Sequence, residues 1–172
     1  MCKENPFDTE NDYFYQKNKK MNQLFDVSTT SRNMVSKFLS GYNLDQLNTI
    51  PEGFSNNLIW NIGHIIVSQQ MLVYKLSGLP MMVSDELVEK YKKGTKPEHI
   101  VTQAEVDEIK SLLFETIQQT KVDYDNQIFK NYMEYTTSTG DHLLRNAEDA
   151  MAFSNFHEGL HIGNMISLRK FI

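Results

Sequence analysis

Near the end of the 172-residue chain, Phe156-His157-Glu158-Gly159-Leu160-His161 places two histidines four positions apart. On a helix, residues i and i+4 lie on one face, one above the other, so both imidazoles can reach the same point in space. A metal ion suits such a point, because neutral imidazole nitrogens are good ligands for zinc and its neighbours. The carboxylate between them completes the pattern H-E-x-x-H, in which the glutamate of a zinc peptidase acts as general base.

A catalytic metal usually has three protein ligands and keeps at least one position open. In zinc peptidases the third ligand generally follows the second histidine, but here residues 162–172 contain no His, Asp or Glu. The third ligand must therefore come from upstream, which weighs against a peptidase. Three histidines compete. His99 stands beside Pro97 and Glu98 in a loop and reads as solvent-exposed. His142, next to Asp141, is a weak alternative ligand or a substrate-side residue. His64 sits among Ile62, Gly63 and Ile65, one turn after Trp60, a buried setting for a side chain that needs polar partners. Glu158 projects about 100° round the helix from His157. It is read either as a base or, with the downstream ligand missing, as a carboxylate supporting the ligands or facing solvent. Asn61 and Asn164 could orient a ligand or substrate, whereas Trp60 and Phe153 read as packing.

These residues need helices to hold them, and the apolar periodicity supplies four long ones. The first is expected from about Tyr13 to Ser40, with Met21, Leu24, Val27, Ser28, Ser31, Val35, Phe38 and Leu39 on one stripe and Gly41 as its stop. After a loop over residues 43–53, Ser55 can cap a second helix, with Phe54 stapled on Ile59, running to about Ser77 before Gly78 and Pro80. This helix is apolar all round, so it is expected to be buried on both sides. A short amphipathic helix at residues 84–93 follows. Thr102 and Glu105 form a capping box that opens the third long helix, whose stripe is Val106, Ile109, Leu113, Ile117, Thr120 and Tyr124. Residues 132–140 read as an extended loop. Asn146 caps the fourth long helix, on which Ala150, Phe153, His157, Leu160, His161, Asn164 and Leu168 share a stripe, with Gly159 and Gly163 on another face.

The length suits one domain, residues 1–172, with residues 1–12 as a polar, weakly ordered lead. A net charge of −5 argues against a nucleic-acid binder working through a basic surface. Cys2 is the single cysteine, so an internal disulfide and a cysteine-based zinc site are both ruled out. No signal-like or membrane-spanning run is apparent, and a cytoplasmic setting is expected. The expected architecture is all-α, a four-helix bundle.

Trp60-Asn61-Ile62-Gly63-His64 on one helix, followed by His157-Glu158-Gly159-Leu160-His161-Ile162-Gly163 near the end, resembles the DinB superfamily, with its W-N-x-x-H and H-E-x-x-H-x-G signatures. The resemblance spans roughly Met21 to Ile172. It implies a bacterial, DinB-like bundle, commonly dimeric, with a divalent metal held by three histidines that map here to His64, His157 and His161. Relatives include proteins linked to DNA damage, bacillithiol transferases and mycothiol-dependent isomerases.

The expectation is a metal-dependent transferase acting on a low-molecular-weight thiol, or a hydrolase, with Zn, Ni or Fe as cofactor. Its partners would be a small-molecule substrate or thiol and a second copy of the chain. The principal alternative is a non-enzymatic metal-containing stress or interaction module; a zinc peptidase is disfavoured.

Overall fold

The computed structural model describes residues 6–172, so Cys2 and the first five residues of the expected polar lead lie outside the described residues. Six α-helices and one two-stranded hairpin follow in order: α1 (Pro6–Gly41), α2 (Leu44–Asn48), α3 (Leu58–Val73), α4 (Asp85–Tyr91), α5 (Gln103–Asp125), β1 (Tyr135–Thr136), β2 (Leu143–Leu144) and α6 (Ala147–Leu168). α3 packs against α6 and α5, and α1 packs against the same two helices. The four long helices therefore alternate round the bundle as α1, α6, α3, α5. Among the described residues, no helix is long and apolar enough to cross a membrane.

α1 starts at Pro6, well before Tyr13, and ends at Gly41 as expected. Its inward stripe differs from the expected one. Met21, Phe25, Arg32, Val35, Phe38 and Leu39 are buried, whereas Val27 is 50% exposed. With half-buried Ser28, the positions Met21, Phe25, Ser28, Arg32, Val35 and Leu39 follow a 4-3-4-3-4 spacing that carries an arginine in the middle of an apolar face, and that arginine matters below.

The loop over residues 43–53 contains α2, opened by a capping box in which Asn43 and Gln46 bond each other's backbone. α3 is capped by Asn57, whose Oδ1 accepts from the Trp60 N–H, and not by Ser55. Phe54 meets the Phe171 ring at 5.7 Å, a partner that the expected staple on Ile59 did not include. As its composition implied, α3 is buried on almost every side, from Leu58 to Val67 without a break. A 3₁₀ turn carries it on to Ser77, and Gly78 then adopts φ 70°, the left-handed stop that glycine permits.

Thr102 caps α5 through the Glu105 N–H. Glu105 does not complete the box; its carboxylate takes the Tyr91 hydroxyl and the Lys90 ammonium instead. The expected extended loop at residues 132–140 includes β1, which pairs antiparallel with β2. Asn146 caps α6 by accepting the Asp149 N–H. On α6 the expected stripe holds except at Leu160, which faces outward at 47% exposure while Ile162 is buried.

Candidate metal centre

α3 and α6 are adjacent in the bundle, and their facing sides bring His64, His157 and His161 together. One candidate ligand atom from each lies within 4.8 Å of the other two. His99 and His142 are not in this group. His99 is exposed, and His142 stacks on Phe153 with ring centroids 5.9 Å apart, outside the cluster.

The hydrogen bonds decide which nitrogen of His64 and of His161 is available. His64 Nδ1 lies 2.6 Å from the carbonyl oxygen of Tyr91, which can only accept, so Nδ1 carries the proton and Nε2 is left with a lone pair. That Nε2 stands 3.3 Å from the Ser68 hydroxyl. His161 Nδ1 is 2.8 Å from Asn61 Oδ1. The Asn61 amide nitrogen donates to Asn56 Oδ1 at 2.9 Å and to the Asn57 carbonyl at 2.7 Å, and this fixes which end of the amide is oxygen. Asn61 Oδ1 therefore accepts from His161 Nδ1–H, and also from the Asn164 amide at 3.0 Å. His161 Nε2 is thereby turned towards His157 Nε2, 3.2 Å away. Fixing the ring through its remote N–H is the usual support of a histidine ligand. Asn61→Ala is therefore expected to lower metal affinity by about 10–100-fold, measurable by competition with a chelating dye, with the helical content unchanged.

Burial adds to this arrangement. It holds the His64 imidazole below its ordinary pKa, outweighing the Tyr91 carbonyl. Burial, then the charge of His64, takes His157 down to about 4. Burial, then the charges of His157 and His161's other neighbour His64, takes His161 down to about 3. Three neutral imidazoles at neutral pH, two of them with an Nε2 lone pair already free, are the charge state a divalent cation requires.

Packing positions His64 from two sides. Trp60 stacks on its ring at 4.6 Å and 10° between planes, and its indole N–H donates to the Thr95 hydroxyl. On α4, the Tyr91 ring lies so close to Gly63 that an added Cβ would stand 2.5 Å from its Cδ1 and 2.7 Å from its Cε1. The ring cannot retreat freely, because its hydroxyl donates to Glu105 on α5 at 2.7 Å. Gly63 thus allows the close approach that delivers the Tyr91 carbonyl to His64. Gly63→Ala is expected to cost about 1–3 kcal/mol by overpacking and to weaken metal binding with it; denaturant melts and a metal titration on one sample check both.

Glu158 lies elsewhere. Its side chain is 2% exposed and paired with Arg32 of α1, whose side chain is 0% exposed. Arg32 Nε and Nη2 both donate to Oε1, at 2.9 and 2.6 Å, and Nη1 donates to the Leu113 carbonyl at 3.3 Å. Oε2 has no hydrogen-bond partner among the described residues. Burial raises the carboxyl's pKa, and Arg32 opposes that rise. The pair ties α6 to α1 between the two histidine positions and so fixes the rotation of α6. Arg32 escaped the sequence reading, although the signal was present: an arginine at the centre of the Met21–Phe25–Ser28–Arg32–Val35–Leu39 face.

An all-α bundle with three imidazoles converging from two of its long helices defines a class of candidate metal-binding proteins. The chain belongs to the DinB superfamily, whose family model matches residues 29–165. Among solved structures, a conserved protein of a locus from Enterococcus faecalis is similar, with a TM-score of 0.63 and 13% sequence identity, covering 88% of this chain and 95% of that one. At that identity the likeness speaks for the fold. No curated protein matches the sequence.

Proposed function

We propose that the chain is a metal-dependent enzyme of the cytoplasm that transfers a low-molecular-weight thiol, or hydrolyses a small substrate, at a divalent ion held by Nε2 of His64, His157 and His161. The observation that carries this reading is the common orientation of the rings: His64 and His161 each donate through Nδ1 to a built-in acceptor, which leaves both Nε2 atoms free within a cluster whose ligand atoms lie within 4.8 Å of one another. Zinc, nickel and iron all suit three imidazoles. Once bound, such an ion supplies Lewis acidity that lowers the pKa of a water or thiol at its open positions. The chain's own share is to exclude solvent with Trp60, to hold His161 through Asn61 and to hold His64 through the Tyr91 carbonyl.

Glu158 is assigned a positioning role, because its carboxylate is committed to Arg32; a peptidase base would have to face the substrate. A cleft reaching His157 supports an enzyme over an interaction module. The test is consumption of a low-molecular-weight thiol by the metal-reconstituted protein in the presence of a soft electrophile. Metal-dependent turnover that is lost in His157→Ala is expected; a rate equal to that of the free metal ion would sink the transferase reading.

The chain is proposed to pair with a second copy through the outer side of α6. There Phe156 is 55% and Leu160 47% exposed, and a Cβ added at Gly159 or Gly163 would meet nothing within 4 Å. Leu160→Glu is then expected to convert a dimer to a monomer in sedimentation equilibrium.

A further inference from the structure

Beside His157 the bundle opens into a cleft of about 260 Å³. One wall is the C-terminal half of α3 and the other is α6, with the segment around β1 across the mouth. The lining is largely apolar: Met71 and Leu72 from α3, Leu76 from the 3₁₀ turn that follows it, and Phe153 from α6. His157 and Ser68 are part of its lining, and the Ser68 hydroxyl stands 3.3 Å from His64 Nε2, so the cleft leads to the side of the ring on which His64 offers its lone pair.

The charge on this cleft runs against the charge of the molecule. The chain carries 22 Asp and Glu against 17 Lys and Arg. Yet the residues lining the cleft include two lysines, Lys75 and Lys93, and no carboxylate. Both lysines are exposed at the rim, and neither is in an ion pair with a carboxylate among the described residues. By contrast, Lys90 and Lys92, close to Lys93 in sequence, are each paired with glutamate. Ser138 and Thr139 add hydroxyls at the same mouth. An apolar lining with a few polar groups is the ordinary make-up of a small-molecule site, and two ammonium groups in that lining, neither paired with a carboxylate among the described residues, select for negative charge.

We propose that this cleft binds a small amphipathic anion. Its apolar body would lie on Met71, Leu72, Leu76 and Phe153, and its carboxylate or phosphate would be held by the lysines of the lining, Lys75 and Lys93. The end remote from that anionic group would reach His157. Only this last orientation rests on the metal reading; selection of the anion does not. The volume lies just below the roughly 300–1,000 Å³ usual for ligand pockets, so the occupant is a small metabolite and not a peptide. For the enzyme this names the substrate class: an acid or phosphate whose reacting group is separated from its charge by a short apolar spacer.

The test is an NMR titration of the full chain, as purified and after chelation, with hexanoate, hexyl phosphate and the neutral hexanamide. Metal content is measured on every sample. At least one of the anions is expected to bind about fivefold or more tightly than hexanamide, roughly the effect of one exposed charge pair. That preference should persist after chelation and collapse in Lys75→Gln/Lys93→Gln, two surface changes that leave the core untouched. The tighter of hexanoate and hexyl phosphate identifies the anionic group. Equal binding of all three probes, binding of none, or a preference that survives the double substitution would overturn the proposal. If the metal is absent but the lysine-dependent preference remains, the metal reading fails and the anion site stands.

Discussion

Arg32→Met is expected to destabilise the protein by about 3–5 kcal/mol, the usual consequence of removing one partner from a buried ion pair. Methionine fills much of the arginine's volume, so the loss comes chiefly from electrostatics and not from a cavity. In the native protein both Nε and Nη2 of Arg32 donate to one oxygen of Glu158, and the other oxygen has no partner among the described residues. Without the guanidinium, a carboxylate on α6 is left inside the bundle with both oxygens unsatisfied. Its raised pKa shows the direction of relief, protonation, which recovers only part of the cost. Glu158→Gln should also be costly, because it strands the guanidinium instead. The double variant Arg32→Met/Glu158→Leu should be more stable than either single substitution, since an apolar pair of similar volume needs no partners. Urea denaturation of the four proteins gives the cycle. Losses below about 1 kcal/mol in the single variants would show that the pair does not hold α6 in place. The same variants bear on the motif's glutamate: a peptidase-like base would make Glu158→Gln inactive but stable, whereas a positioning role makes it unstable first.

The second large effect is metal-linked. An ion that binds the folded chain and not the unfolded one stabilises it by about 2.7 kcal/mol at a free concentration of 100 times Kd and about 4.1 at 1,000 times. Chelator-treated protein should therefore gain several kcal/mol on addition of zinc, in a concentration-dependent way. His157→Ala and His161→Ala should abolish that gain. Their loss of affinity should exceed the roughly 10–100-fold attached to a supporting hydrogen bond such as that of Asn61, because a ligand itself is gone. His64→Ala should do the same and carry an extra cost: at 5% exposure it leaves the Tyr91 carbonyl without its donor. An undiminished zinc effect in all three variants would place the ion elsewhere.

The residues of this centre stand out in the sequence to differing degrees. The spacing of His157 and His161 and the buried setting of His64 were legible, because helical periodicity places side chains on faces without knowledge of their neighbours. Asn61 was visible as a polar residue beside a ligand, although its acceptor role depends on the amides and carbonyls around it. The Tyr91 carbonyl was not legible, since every residue carries a carbonyl and nothing in a side chain marks the one that a ring will find. The part played by Gly63 follows from the same contact. The Arg32–Glu158 pair required knowing that α1 and α6 are neighbours, which periodicity on either helix cannot say. Ser55, Asn56 and Asn57 are three consecutive capping residues, and Asn57 is the one whose Oδ1 takes the Trp60 N–H while its amide donates to the Asn48 carbonyl nine residues back, a contact that the sequence does not announce. The short α2 and the β1–β2 hairpin lie below the length at which a period declares itself. Leu160 was misplaced because its neighbours in the motif face inward, while the structure turns it out with Phe156.

The most direct test is elemental analysis of the purified chain beside its His64→Ala variant, both treated identically and checked for native helical content. One zinc, nickel or iron per chain in the wild type and a stoichiometry near zero in the variant is the predicted result. Full metal retention in folded His64→Ala would contradict the three-histidine site.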